Sequence, residues 1–280
     1  MLNLVSRSFA IVIQQLPHEL QDAVCVFYLV LRALDTVEDD MSIPDKPKCA
    51  ELEIFWKKIY DPEYVYPCGE KHYKVLMDEY PKVTAVFLSL KKEYQDVIAD
   101  ITKRMGAGMS NFIKREVVTL EDWDEYCHYV AGLVGIGLSN LWANSMLEDK
   151  RFAEMEDLSN AMGLFLQKTN IIRDYLEDLV DGRAFWPRTV WSKYAESLKD
   201  LRLDQEEEEE ANPKKVEASL GCWSYTVDVS VPLMPPCLIS SMPIICMLFV
   251  YARGVDCSSP GCLPCFIQFS SSIPRMILQA

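Results

Sequence analysis

Two short runs of carboxylates are the residues in this chain best placed to do chemistry. In Leu29–Asp40, LVLRALDTVEDD, Asp35, Glu38 and Asp39 stand at i, i+3 and i+4 and project from one face of a helix. In Asn170–Asp178, NIIRDYLED, Asp174, Glu177 and Asp178 repeat that spacing. Carboxylates so arranged repel one another. At about 6 Å and an effective dielectric of 20, each like-charge pair costs roughly 3 kcal/mol. Either such a face is wet or something cationic sits on it. One acidic helix fits a solvated surface face equally well, but a second one on another apolar helix favours the cation. Two such clusters facing each other make a hard, oxygen-rich site, suited to Mg²⁺ that keeps waters and takes substrate phosphates.

The neighbours of these acids carry the reading further. Helical spacing puts Tyr28 and Arg32 on the stripe of Asp35 and Asp39. It aligns Gln167 and Asn170 with Asp174 and Asp178, with Arg173 beside them. The planar donor fork of arginine matches phosphate. A site of this kind holds a diphosphate, neutralises it and helps it leave. The allylic carbocation left behind needs an apolar, water-poor cavity. The stretch WDEYCHYVAGLVGIGLSNLW, from Trp123, bears on this. Gly132, Gly135 and Gly137 thin its helix, so that a long chain or another helix can approach. Tyr126 and Tyr129 lie a turn apart, where a phenol relays a proton or steadies a cation. Ordinary tight helix packing with core tyrosines is the competing reading.

The elements that must position these residues read as an all-α domain over residues 1–205. Val5–Leu16 is a short apolar segment stopped by Pro17, and Glu19–Asp39 is the first acidic helix. Ala50–Ile59 reads as a helix and Asp61–Gly69 as a loop. Pro81 opens one long helix to about Ile113, weakened near its end by Gly106 and Gly108. Thr119 is a good N-cap for a helix over Leu120–Met146, with Asp122 in its first turn. Glu156–Val180 is the second acidic helix, ended by Gly182.

Composition sets the outer bounds. With 280 residues, half of them hydrophobic, the chain can bury a substantial core. A net charge of −14 argues against nucleic acid as a partner, although five of the acids form one run, Glu206–Glu210. The N-terminus lacks a signal-peptide layout. Of ten cysteines, only Cys25, Cys49, Cys68 and Cys127 precede residue 220, and their scatter suits a reducing compartment. Residues 206–280 form a separate tail, acidic and then rich in Pro and Cys, and expected to be poorly ordered. Within it Val229–Ala252 carries no charge over a length that spans a bilayer, but Pro232, Pro235, Pro236 and Pro243 make a regular helix difficult.

The stretches SRSFAIVIQQL, AVCVFYLVLRALDTVEDD, YCHYVAGLVGIGLSNLW, LQKTNIIRDYLED and FWPRTVW, in this order, resemble the squalene synthases (farnesyl-diphosphate farnesyltransferases) of the phytoene/squalene synthase family. The resemblance covers about Val5–Leu203. It implies an all-α isoprenoid-synthase fold with a central cavity. It also implies condensation of two farnesyl diphosphates to presqualene diphosphate and, with NADPH, conversion to squalene. On the same basis Asp35, Glu38 and Asp39 form one Mg²⁺ set and Asp174 and Asp178 the other. Ser6, Arg7, Ser8, Arg32 and Arg173 would hold diphosphate or nicotinamide phosphate. Tyr126 would be the phenol of the first half-reaction, and Tyr28, Gln167 and Asn170 would lie near the substrate. A monomer at the cytosolic face of the endoplasmic reticulum membrane is the expected setting. Only Met1–Leu4 precede the matched region, and Asp204–Ala280 does not resemble the family's later helices, so a fold incomplete at both ends is expected. A phytoene-synthase-like transferase and an inactive prenyl-diphosphate-binding fragment are the alternatives.

Overall fold

The computed structural model describes residues 1–6, 9–180 and 182–201, and every regular element among them is helical, as the all-α reading expects. Arg7, Ser8, the side chain of Glu177 and the tail with Val229–Ala252 lie outside the described residues. Within the first apolar segment the helix α2 spans Phe9–Ile13, and a short helix not expected from the sequence, α1 (Leu2–Val5), precedes it. Pro17 then stands at the N-cap of α3 (His18–Asp39), where its missing N–H costs nothing. Between Leu20 and Val37 this helix buries residues on all sides, as a nearly continuous apolar run requires.

Around α3 pack α4 (Asp45–Lys58), α5 (Lys71–Asp78), α6 (Tyr80–Ser89) and α7 (Lys92–Ile113). Phe27, Leu34, Leu52, Phe55, Phe87 and Ile98 are among the side chains removed from water there. Each such burial contributes about 1.5–3 kcal/mol. Lys48 of α4 donates from Nζ to the carbonyl of Glu38, 2.8 Å away, tying off the end of the first acidic helix. Beyond α7 come α8 (Leu120–Cys127), a π-helical turn at His128–Gly132, α9 (Leu133–Asn144), α10 (Arg151–Glu154) and α11 (Glu156–Arg173). Thr119 caps α8 reciprocally with Asp122: the Asp122 N–H donates to Thr119 Oγ1 (3.1 Å), and the Thr119 N–H to Asp122 Oδ2 (2.8 Å).

Three helices expected to be continuous are broken. The span from Pro81 to Ile113 divides at Leu90, whose ψ of 158° is extended. There Ser89 Oγ donates to the Val86 carbonyl (2.7 Å) and Gln95 Nε2 to that of Leu90 (2.9 Å), replacing N–H groups a continuing helix would supply. Gly106 does not bend α7; it admits the backbone of α4, and a Cβ there would lie 2.2 Å from the Leu52 carbonyl oxygen. The span from Leu120 to Met146 is interrupted by the π turn and ends at Asn144. The second acidic helix breaks at Asp174 (φ −87°, ψ 8°) and resumes as α12 (Tyr175–Val180). Its cause is Trp186, whose indole N–H donates to the Ile171 carbonyl (3.1 Å), the acceptor that Tyr175 N–H would otherwise use. Asp178 N–H still donates to the Asp174 carbonyl (3.0 Å), so the two acids keep their one-turn relation. Gly182, at φ +77°, ends α12 as expected. The last described α-helix, α13 (Arg188–Trp191), follows Pro187, and a 3₁₀ turn at Leu198–Leu201 comes after it.

Candidate active site

A cavity of about 790 Å³, its open mouth included, lies between α3 and α11. From α2 and α3 it takes Phe9, Ile13, Val24, Phe27, Tyr28, Leu31, Arg32 and Asp35. Met105 of α7, Val130 and Ala131 of the π turn, and Val134 and Leu138 of α9 add apolar wall. Leu166, Gln167 and Asn170 of α11 complete it. Along α3 the lining passes from Val24 to Asp35, about 16 Å at 1.5 Å per residue, and changes from hydrocarbon to charge. On α11 the same change runs from Leu166 through Gln167 and Asn170 toward Asp174. The polar ends of both walls therefore belong to the acidic motifs.

The wall opposite α3 depends on close backbone approach. A Cβ on Gly163 of α11 would lie 2.5 Å from the carbonyl oxygen of Ala131, and one on Gly132 would meet Asn160. The thinning at the glycines thus admits a neighbouring helix. The wider π turn occurs at this contact, where His128 Nδ1 and Asn160 Oδ1 lie 2.7 Å apart.

Arg32 sits over the Tyr28 ring at 5.7 Å and at the same distance from Tyr73, with Nη1 3.4 Å from Asp35 Oδ2. Tyr28 donates its hydroxyl to the Val5 carbonyl (3.2 Å) and stacks near Phe9, so it also fastens α1 and α2 over the cavity. Gln167 is 5% exposed and its Nε2 has no hydrogen-bond partner. A buried donor left in this state on a cavity wall is poised for a ligand acceptor. Arg173 grips Asp174 with two hydrogen bonds of 2.6 and 2.7 Å.

Arg183 joins the two acidic motifs. Arg183 donates from Nη1 to Asp39, and its Nη2 lies 3.2 Å from Asp178 Oδ1. The sequence reading did not single out Arg183. Its role depends on the left-handed Gly182, which turns the chain back over α12, and an arginine directly after the glycine ending an acidic helix is the available signal. Phe185 and Trp186 were likewise read only within a motif, whereas Trp186 shapes α11 and Phe185 stacks on Tyr126 at 5.0 Å.

Of the expected site residues, Tyr28, Arg32, Asp35, Gln167 and Asn170 come together on one cavity, and Asp39 and Asp178 meet through Arg183. Glu38 and Asp174 flank that polar end without lining the cavity. Tyr126, 2% exposed, lies outside the lining, packed against Phe185 and Phe112. Ser6 accepts a hydrogen bond from the Ala10 N–H (3.2 Å). Among the described residues no three acidic, thiol or imidazole side chains are already gathered as a metal cage.

Comparison with known proteins agrees with this architecture. A family model described as squalene/phytoene synthase matches residues 2–220. A squalene synthase of Nicotiana benthamiana is 55% identical over 241 residues, covering 85% of this chain and 56% of the relative. One of Solanum lycopersicum is 61% identical over 208 residues, covering 73% and 50%. The chain thus spans about half the length of the curated relatives it matches. The solved structure of TcSQS with the ligand E5700 superposes with a TM-score of 0.76 at 48% identity, covering 80% of this chain and 65% of that one. A dehydrosqualene synthase at 19% identity and a TM-score of 0.60 shares the fold. With its family model matched over most of its length and plant squalene synthases so similar to it, the chain belongs to the squalene/phytoene synthase family.

Proposed function

We propose that the chain is a Mg²⁺-dependent farnesyl transferase of the squalene synthase type. It condenses two farnesyl diphosphates to presqualene diphosphate, releasing one diphosphate and one proton, and converts that product to squalene with NADPH. The observation that carries the reading is the cavity whose hydrocarbon walls end at Arg32, Asp35, Gln167 and Asn170, with Asp39 and Asp178 paired through Arg183 on the same two motifs.

The residues fit Mg²⁺. The donors of the two motifs are carboxylate oxygens, the hard ligands this ion takes, and Asp39 and Asp178 already hold a guanidinium between them. Asp35, Glu38 and Asp39 would hold metal on one side, and Asp174 and Asp178 on the other. Bound there, Mg²⁺ supplies charge neutralisation for the departing diphosphate. Arg32 offers its fork to phosphate oxygens. Gln167 and Asn170 orient the head of the substrate, Gln167 through its unpartnered amide. Phe27, Leu31, Val134, Leu138 and Leu166 keep water from the carbocation. Tyr126 is assigned the proton by family likeness, with its ring fixed by Phe185 and Phe112. The described residues offer NADPH no comparable set, since Ser6 accepts from the Ala10 N–H and Arg173 is engaged with Asp174. The reductive half rests on kinship alone, as do a monomeric state and the cytosolic face of the endoplasmic reticulum. Among the described residues no helix is long and apolar enough to cross a membrane.

The test uses the purified 280-residue chain with farnesyl diphosphate and Mg²⁺, with and without NADPH. Because the chain spans about half the length of its relatives, binding and turnover are measured separately. Presqualene diphosphate without NADPH and squalene with it are expected. Coupling of C20 diphosphates in preference would favour the phytoene-synthase-like reading, and Mg²⁺-dependent binding without diphosphate release the inactive fragment. Absence of any Mg²⁺-dependent binding would overturn the assignment.

A further inference from the structure

We propose that Arg183 is a resident counter-cation: in the metal-free chain its guanidinium holds the two acidic motifs together, and a divalent ion must displace it to reach Asp39 and Asp178. The inference rests on the Mg²⁺ reading above and adds a positioning residue to it. Arg32 and Arg173 pair with acids of their own motifs, Asp35 and Asp174. Arg183 spans both motifs, joining Asp39 at the end of α3 to Asp178 in α12.

Its placement is built into the backbone. Gly182 adopts φ +77°, and the Arg183 N–H donates to the Asp178 carbonyl at 2.8 Å, so the side chain starts at the base of the helix whose acid it holds. Its guanidinium carbon lies 5.8 Å from the Phe185 ring, which backs it from the side of Tyr126. The Asp178 side chain is 10% exposed, so its charge is poorly solvated and takes a cation as partner. Asp39 is 39% exposed, so an ion can reach it from solvent. A two-pronged guanidinium serves two carboxylates on different elements at once; an ammonium engages them one at a time.

Charge decides the consequence. A cation beside a carboxylate changes that group's affinity for another cation by about ten- to a thousand-fold. Removing the guanidinium exposes both acids to metal and loosens the metal-free site.

The experiment is titration of the full chain with Mn²⁺, following free Mn²⁺ by electron paramagnetic resonance, alongside thermal unfolding by circular dichroism. R183Q should bind Mn²⁺ at least about tenfold more tightly than the unsubstituted chain. Its metal-free unfolding midpoint should fall and recover on adding Mn²⁺. R183K should bind Mn²⁺ more tightly than the unsubstituted chain by a smaller factor, and it decides the question if R183Q does not fold. Unchanged or weaker Mn²⁺ binding by folded R183Q, while D178N abolishes binding, overturns the role of Arg183 and leaves the metal site standing. Absence of Mn²⁺ binding by the unsubstituted chain and both Arg183 variants overturns the metal site, and this proposal with it.

Discussion

Gln167 and Lys168 are neighbours on α11 under opposite constraints, and substitution should separate them. The Gln167 amide lines the cavity with an unpartnered donor, which costs about 1–3 kcal/mol relative to a satisfied one. Gln167→Leu should leave the thermal midpoint unchanged or raised, while binding of farnesyl diphosphate weakens about tenfold, a loss of ~1.4 kcal/mol. Calorimetric titration and thermal unfolding check both halves, and a lowered midpoint would make Gln167 a structural residue. Lys168 is 1% exposed, paired with Asp124 and held 5.0 Å over the Trp123 ring. Asp124 is 31% exposed and can turn to water, so Lys168→Met should cost about 1–3 kcal/mol, less than a fully buried pair. Urea unfolding measures it, with ligand affinity of the folded fraction retained. The stripe that links Gln167, Asn170 and Asp178 was legible because helical spacing alone creates it. Arg183 was not, because its partner Asp39 lies 144 residues away and a glycine turn aims it.

At the scale of the element, the apolar pattern located the long helices α3, α7, α9 and α11, found α4 only from Ala50 onward, and missed α5 and the breaks within the longer spans. The apolar stripe continues across Leu90 and across Asp174, whereas the breaks are set by side chains that capture carbonyls: Ser89 and Gln95 in one case, Trp186 in the other. Trp186 tests this directly. Trp186→Phe keeps most of a ring that is 2% exposed but strips the Ile171 carbonyl of its indole donor, at a cost of about 1–3 kcal/mol. Amide exchange in Tyr175–Val180 should quicken while that of α3 stays slow; uniform quickening would mean that Trp186 serves the core and not the break. The cap of α8 was legible, since Thr119 and Asp122 lie three residues apart. Hydrogen bonds from the Thr119 N–H hold the Asp122 carboxyl below its usual range despite partial burial, helped by Val118 and Arg115. A carboxyl depressed on folding stabilises above its unfolded pKa of about 3.9 and loses that contribution as pH falls through the folded value. Asp122→Asn should therefore cost about 1 kcal/mol at pH 7. Its midpoint should converge with that of the unsubstituted chain as pH falls through the depressed folded value; a gap that stays constant throughout the acid range would place the effect outside the carboxyl.

In the whole molecule, α3 is the buried axis, and the site lies where its acidic end meets the acidic end of α11 and α12. Residues 24–39 supply one wall and residues 130–183 most of the other, so the site exists only when both halves of the chain are folded. A ligand bridging the two walls binds the native chain and not the unfolded one. At about 100 times its dissociation constant such a ligand adds ~2.7 kcal/mol. For a domain of this size that corresponds to a rise of about 5–10 °C in the unfolding midpoint. Simple salt also relieves repulsion in a chain of net charge −14, because it screens exposed charge beyond about 10 Å at 0.1 M. Mg²⁺ with inorganic diphosphate should therefore raise the midpoint well beyond NaCl of equal ionic strength. Asp35→Asn, on the α3 wall, and Asp178→Asn, on the other, should each remove most of that excess, because either substitution breaks the bridge. An equal shift with NaCl, or an excess that survives both substitutions, would mean that the ions screen a charged surface and do not join the two halves of the fold.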